Sequence, residues 1–108
     1  FLLGMPLLSV LVFETLVAIF AMFQHSNLWL PPRLERALSA VIVTPSIHWV
    51  HHHAQRADTD SNYSFLFSVW DRLFGTRSPT ARTVDMAIGV EGLPDRPLPE
   101  LLTRPFRR

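Results

Sequence analysis

The stretch FLLGMPLLSVLVFETLVAIFAMF, residues 1–23, decides the fold class because Glu14 is its one charged residue. As a helix rising about 1.5 Å per residue it would extend about 34 Å, enough to cross a hydrocarbon core about 30 Å thick. We predict a transmembrane helix and expect Glu14, near mid-depth, to face the interior of a helical bundle. A signal peptide and the buried helix of a soluble protein are the alternatives; no small-x-small cleavage site precedes Gln24, which disfavours the first.

Charge and composition narrow the function classes. The ten basic residues are all arginine and all follow residue 32, so the positive-inside rule predicts that everything after the apolar stretch is cytoplasmic. A net charge of +1 with scattered arginines excludes nucleic acid as a partner. The chain contains no cysteine, so any metal site must use histidine and carboxylate ligands.

The remaining sequence predicts short helices after the membrane exit. We expect a membrane exit at Trp29 and Pro31, an amphipathic helix over 34–42, and a new helix that begins with Thr44 as N-cap. A further helix over 66–74 should end at Gly75.

The predicted fold class is an all-α integral-membrane bundle with a cytosolic, histidine-rich helical cap, of which this chain is a part. Its predicted divisions are a transmembrane helix and exit (1–28), a histidine-rich metal-binding region (29–76) and a Pro-rich segment that wraps over the domain (77–108).

The segment HWVHHH, residues 48–53, carries the chemistry. His48, His51 and His52 have helical spacings of three and four residues, so one helix presents three imidazoles to one small volume. His51 and His52 diverge by about 100° around the axis, so two neighbouring metal ions could each receive one of them. A solvated polar turn and a pH-responsive patch are the alternatives. His53 points away from the shared face and fits a helix end, and His25 alone would more often be an interfacial histidine.

Four motifs occur together in a fixed order: FQHSN (23–27), TPSIHWVHH (44–52), DSNY (60–63) and WDRLFGT (70–76). In order and spacing they resemble the C-terminal half of the fatty acid hydroxylase / sterol desaturase superfamily, and the resemblance runs from about residue 1 to 106. Ser64 and His53 depart from the usual pattern and leave the subfamily open.

The resemblance implies an enzyme that binds two metal ions, taken as iron with zinc possible, and uses O₂ to hydroxylate or desaturate a lipid C–H bond. Its metal ligands in this chain would be His25, His48, His51 and His52. The remaining histidines are expected in a missing N-terminal half, so we expect the isolated chain to be inactive. No catalytic residue is predicted beyond the ligands.

Three further residues are candidates for holding the imidazoles in the ligating tautomer: Asp60, Asn62 and Tyr63. A helix N-cap is the structural alternative for Asn62. The partners implied are a membrane lipid substrate and a separate electron donor, in the bacterial inner membrane or the endoplasmic reticulum, with the metal site on the cytoplasmic side. A membrane metal-binding or scaffolding protein without turnover is the alternative function, and the lipid class stays open.

Overall fold

The computed structural model describes residues 4–94 and 96–106, and these residues are helical, with isolated β-bridges in place of strands. The helices are α1 (Leu7–Gln24), α2 (Pro32–Ser39), α3 (Pro45–His51), α4 (Arg56–Thr59), α5 (Val69–Leu73) and α6 (Leu98–Thr103), followed by a 3₁₀ turn (Arg104–Phe106). The helical fold class is thereby confirmed for the described part of the chain.

Helix α1 has the length and composition of a membrane span. It contains 18 residues, has a mean hydropathy of 2.1 and is 6% buried; among the described residues it alone is long and apolar enough to cross a membrane. It begins later than predicted because Pro6 is its extended N-cap (φ −60°, ψ 138°). Proline fits the start of a helix but not its interior. The span is therefore about 27 Å long, and the predicted residues 1–3 lie outside the described range.

Helix α2 ends at Ser39, three residues before the predicted end. The reason is a tertiary pairing between residues 41–43 and 66–68. The Val43 amide donates to Leu66 O (2.9 Å) and the Ser68 amide donates to Val41 O (3.1 Å). Backbone groups used in this way are not available for a continuing helix. The same pairing delays α5, which begins at Val69 instead of residue 66.

Helix α3 begins as predicted and packs on α1. Thr44 is its N-cap and accepts from the Ile47 amide through Oγ1, while Pro45 occupies the first helical position. The Thr44 hydroxyl also donates to Glu35 Oε1 (2.6 Å). The buried hydrophobic core of the described residues is small and consists of Val43, Ile47 and Val50.

Asp71 organises the loop that follows the histidine region. It is 2% exposed, and its carboxylate accepts from the Ser64 amide (3.1 Å) and the Thr76 hydroxyl (2.7 Å). The backbone amide of Asn62 donates to Thr76 O (2.8 Å), so the DSNY and WDRLFGT motifs form one hydrogen-bonded unit. Gly75 follows α5 with φ +68°, the left-handed conformation predicted for a helix C-terminus.

The Pro-rich segment crosses back over the end of α3. The Ala54 amide donates to Ala87 O (2.8 Å), and the Gly89 amide donates to His52 O (3.1 Å). These bonds flank an isolated antiparallel bridge between His53 and Ile88. The segment thus places Ile88 beside the histidines, and its later part forms α6.

Candidate metal centre

The histidines of the candidate site come from two elements. His25 is the C-cap of α1, where the apolar helix ends. His48 lies in the middle of α3 and His52 is the C-cap of the same helix, one turn later. Because α1 and α3 pack together, the end of the apolar helix meets the face of α3 that carries its imidazoles.

Three imidazoles converge on one point. The Nε2 atoms of His48 and His25 lie 3.1 Å apart, and those of His52 and His48 lie 3.0 Å apart. One ligand nitrogen from each of these residues lies within 4.8 Å of the others, and no other such group of metal-binding side chains occurs among the described residues.

The donor set fits a transition-metal ion. Two nitrogens bound to one ion at about 2.1 Å with an angle of about 90–109° lie about 3.0–3.4 Å apart. The two observed Nε2 separations of 3.0 and 3.1 Å fall at the lower end of this range. Neutral imidazole suits iron, zinc, copper and nickel.

Hydrogen bonds at Nδ1 leave the Nε2 atoms of two histidines available as ligands. Nδ1 of His25 donates to Ala21 O (2.8 Å), and Nδ1 of His51 donates to Ser61 O (2.8 Å). A carbonyl oxygen can only accept, so Nδ1 carries the proton and Nε2 offers its lone pair. These contacts therefore fix the orientation and the tautomer of both rings.

The electrostatics also favour neutral imidazoles. Burial and the neighbouring histidines lower the pKa of His48 to about 4. Burial, His51 and His25 lower the pKa of His52 as well. His48 is accordingly neutral near pH 7, the protonation state that a metal ligand needs.

His51 lies next to this group but outside it. Its ring centroid is 5.3 Å from that of His52 and 5.8 Å from that of His48. These separations resemble the 5.3 Å between the ring centroids of His25 and His52 inside the group, so the predicted divergence of His51 stays a prediction. Its role as a ligand, like that of the other three histidines, stays a prediction.

The supporting residues predicted from sequence lie in different environments. Asn62 is 4% exposed and has φ +48°. Its side-chain Nδ2 donates to Ile47 O (3.3 Å), and its side-chain Oδ1 accepts from the backbone amide of Ser78 (3.1 Å). Because it lies between α4 and α5 and begins neither, the N-cap alternative is wrong. The Tyr63 ring is 6.2 Å from that of His51. Asp60 is exposed and accepts from Arg56 Nε (3.1 Å), and none of the described contacts joins it to a histidine.

Asp58 is the buried carboxylate that the sequence did not single out. It is 3% exposed and accepts from His53 Nδ1 (2.7 Å) and the Ser78 hydroxyl (2.7 Å). Burial alone would raise its pKa, but hydrogen bonds from His53, Ser78 and Thr80 outweigh burial and lower the pKa. Its backbone oxygen also accepts from the Ser61 hydroxyl (2.6 Å). Asp58 thus fixes the segment whose carbonyl orients His51.

An apolar cavity adjoins the three histidines. It has a volume of about 240 Å³ and is lined by His25, His48, Trp49, His52 and Ile88. Trp49 and Ile88 are the lining residues that are not histidines, and neither was predicted to belong to the site. Ile88 gave no sequence signal because the Pro-rich segment brings it there through backbone bonds that leave no periodic pattern.

Comparison with protein families gives a match over most of the chain. The family model described as fatty acid hydroxylase matches residues 1–76. These residues include all of the histidines of the candidate site, whereas the cavity residue Ile88 lies beyond the match.

Individual relatives are lipid oxygenases. The chain is 29% identical over 108 residues to ornithine lipid hydroxylase OlsE of Rhizobium tropici. This alignment covers 100% of this chain and 32% of that protein. It is 40% identical over 47 residues to alkylglycerol monooxygenase of Danio rerio, covering 44% of this chain and 10% of that protein. The human alkylglycerol monooxygenase is 44% identical over 39 residues, which are 36% of this chain and 9% of that enzyme. The chain therefore spans about a third or less of these relatives, and no solved structure matches it.

Proposed function

The chain belongs to the fatty acid hydroxylase family, and from this premise we propose that the protein containing it is a membrane-bound, metal-dependent oxygenase that hydroxylates a lipid. The observation that carries the proposal is the convergence of His25, His48 and His52 at the end of the apolar helix α1. A lipid chain that enters from the membrane could reach the histidines there without crossing water.

The described residues have clear roles in this proposal. His25, His48 and His52 would hold one metal ion, and the neighbouring His51 would contribute to a second. Ala21 O and Ser61 O hold His25 and His51 in the ligating tautomer. Trp49 and Ile88 would exclude water and contact hydrocarbon.

The two metal ions, proposed to be iron, would activate O₂ for the oxidation of a strong C–H bond. Four histidines are too few to complete two metal sites of this kind. We therefore propose that the rest of the protein supplies the remaining ligands and that the isolated chain is inactive. The short coverage of the relatives supports this.

The names of the relatives favour hydroxylation over desaturation and a polar lipid as substrate. Their names give an ornithine lipid and an alkylglycerol as the molecules on which these relatives act, and both molecules carry polar groups. We propose a substrate of this class, an electron donor on a separate protein, and a metal site on the cytoplasmic side, the last supported by the arginines after residue 32.

The test is lipid analysis by mass spectrometry after expression of the complete protein under isotopically labelled O₂. We expect a lipid that carries one labelled oxygen atom and disappears in a His48→Ala variant. The matched control is His53→Gln, which changes a neighbouring histidine outside the group and keeps a side chain able to donate to Asp58. A desaturated lipid without labelled oxygen would show that the reaction is desaturation and not hydroxylation. If the metal-loaded protein forms no lipid product, the alternative of a metal-binding scaffold protein without turnover is favoured.

A further inference from the structure

The guanidinium of Arg82 lies over two tryptophan rings, and one of them, Trp49, lines the cavity beside the three histidines. Its Cζ atom is 4.4 Å from the ring centroid of Trp29 and 3.9 Å from that of Trp49. The residue is 8% exposed, although arginine is rarely buried without specific partners. Two of its guanidinium nitrogens, Nη1 and Nη2, make directed contacts, while the buried Nε has no hydrogen-bond partner among the described residues.

Those contacts bind the segment that leaves α1. Nη1 of Arg82 donates to Leu28 O (2.9 Å), and Nη2 donates to Asn27 Oδ1 (2.6 Å). The Trp49 indole that stacks on the guanidinium donates from its own Nε1 to Ser26 O (3.2 Å). Arg82 and Trp49 together thus hold residues 26–28 against α3.

The held segment begins one residue after His25, and Trp49 follows His48 directly. His25 is a helix C-cap, an exposed position whose place relative to α3 depends on how the next residues run. The position of the His25 ring beside His48 therefore depends on the register of residues 26–28.

We propose that Arg82 is a positioning residue that clamps the α1 exit to α3 and so sets the distance from His25 to His48 and His52. The proposal rests on the proposed function insofar as His25 is a metal ligand. Lysine cannot replace arginine here, because a compact ammonium group lacks the planar fork that stacks over two rings and donates in two directions.

The first test is a double-mutant cycle on Zn²⁺ affinity in the complete detergent-solubilised apoprotein. We expect Arg82→Lys to weaken binding about 10- to 100-fold, as for other groups that orient a ligand. If Arg82 acts through His25, the same change should have little effect in a His25→Ala background. An equal loss in both backgrounds, or no loss in either, would overturn the proposal. The matched control is Arg56→Lys, an arginine whose side chain is 83% exposed.

A second measurement does not depend on metal. Nitroxide labels at Met22→Cys and Gln55→Cys, both at exposed positions, report the distance between the end of α1 and the N-cap of α4, three residues beyond the C-cap of α3, by pulsed electron paramagnetic resonance. The clamp predicts a narrow distance distribution that broadens in Arg82→Lys and stays narrow in Arg56→Lys. If the parent protein binds no Zn²⁺, the proposed function fails, and an unchanged distribution in Arg82→Lys would then reject the clamp as well.

Discussion

Single hydrogen bonds at Nδ1 fix the ring orientation of two histidines that are predicted metal ligands, His25 and His51. The bond from His25 stays within α1, whereas the bond from His51 reaches Ser61 O, and Ser61 is in turn held by the backbone of Asp58. Orientation of His51 therefore depends on a loop ten residues away, and the stability of that loop depends on the buried Asp58 carboxylate.

Removing the Asp58 carboxylate should destabilise the protein. We expect Asp58→Asn to lower the free energy of unfolding near pH 7 by about 1.5–3 kcal/mol, because hydrogen bonds to a buried charged group are lost or weakened. Since hydrogen bonds lower the pKa of Asp58 in the folded state, this contribution is complete above the unfolded pKa of about 3.9 and is lost as the pH falls through the folded value.

Unfolding of the parent and Asp58→Asn in detergent, followed from pH 7 down to acid, measures this directly. The stability gap should be constant down to about pH 5 and close only below about pH 3.9. The exposed Asp60→Asn is the matched control and should change stability little. A gap that persists unchanged into strong acid would contradict the assigned role of the carboxylate.

The sequence predicts the histidines better than the residues that support them. His48 and His52 follow from helical spacing, and His25 follows from the family resemblance. Asp58 and Arg82 leave no such signal, because their contacts join residues that are distant in the chain or that lie in irregular segments. Asp60 matched a motif, yet its side chain is exposed beside Arg56.

At the scale of elements, helix starts and stops set by local chemistry were predictable. Thr44 with Pro45 begins α3, and Gly75 follows the end of α5, as the sequence indicates. The predicted end of α2 and the predicted start of α5 were each wrong by three residues, because Val41 and Val43 form hydrogen bonds with residues 66–68. Such pairings depend on tertiary structure, which periodicity does not contain.

The N-cap of α3 should matter to the whole site because this helix carries three of the predicted ligands. Thr44 is fully buried, and we expect Thr44→Ala to cost about 0.5–2 kcal/mol, as loss of a helix cap does. Thr44→Ser keeps the hydroxyl and should retain most of the stability. Thermal unfolding of the three proteins provides the comparison, and equal losses in both variants would show that the methyl group, not the cap, is what matters.

At the scale of the whole molecule, the described residues bury little apolar surface. Their buried hydrophobic core has only Val43, Ile47 and Val50, while many large apolar side chains along α1 are exposed. A chain with this distribution requires lipid or further protein around α1. This agrees with the short part of each relative that it covers and with the proposal that the metal ligands are completed elsewhere.

The central claim is that this histidine cluster is a metal centre. The metal content of the complete detergent-solubilised protein, measured by inductively coupled plasma mass spectrometry, tests this claim most directly. We predict about two bound metal ions per protein, a sharp loss in His48→Ala and in His52→Ala, and retention in the control His53→Gln. Negligible metal in the parent, or metal that is unchanged by His48→Ala and His52→Ala, would contradict the assignment of this histidine cluster as a metal centre.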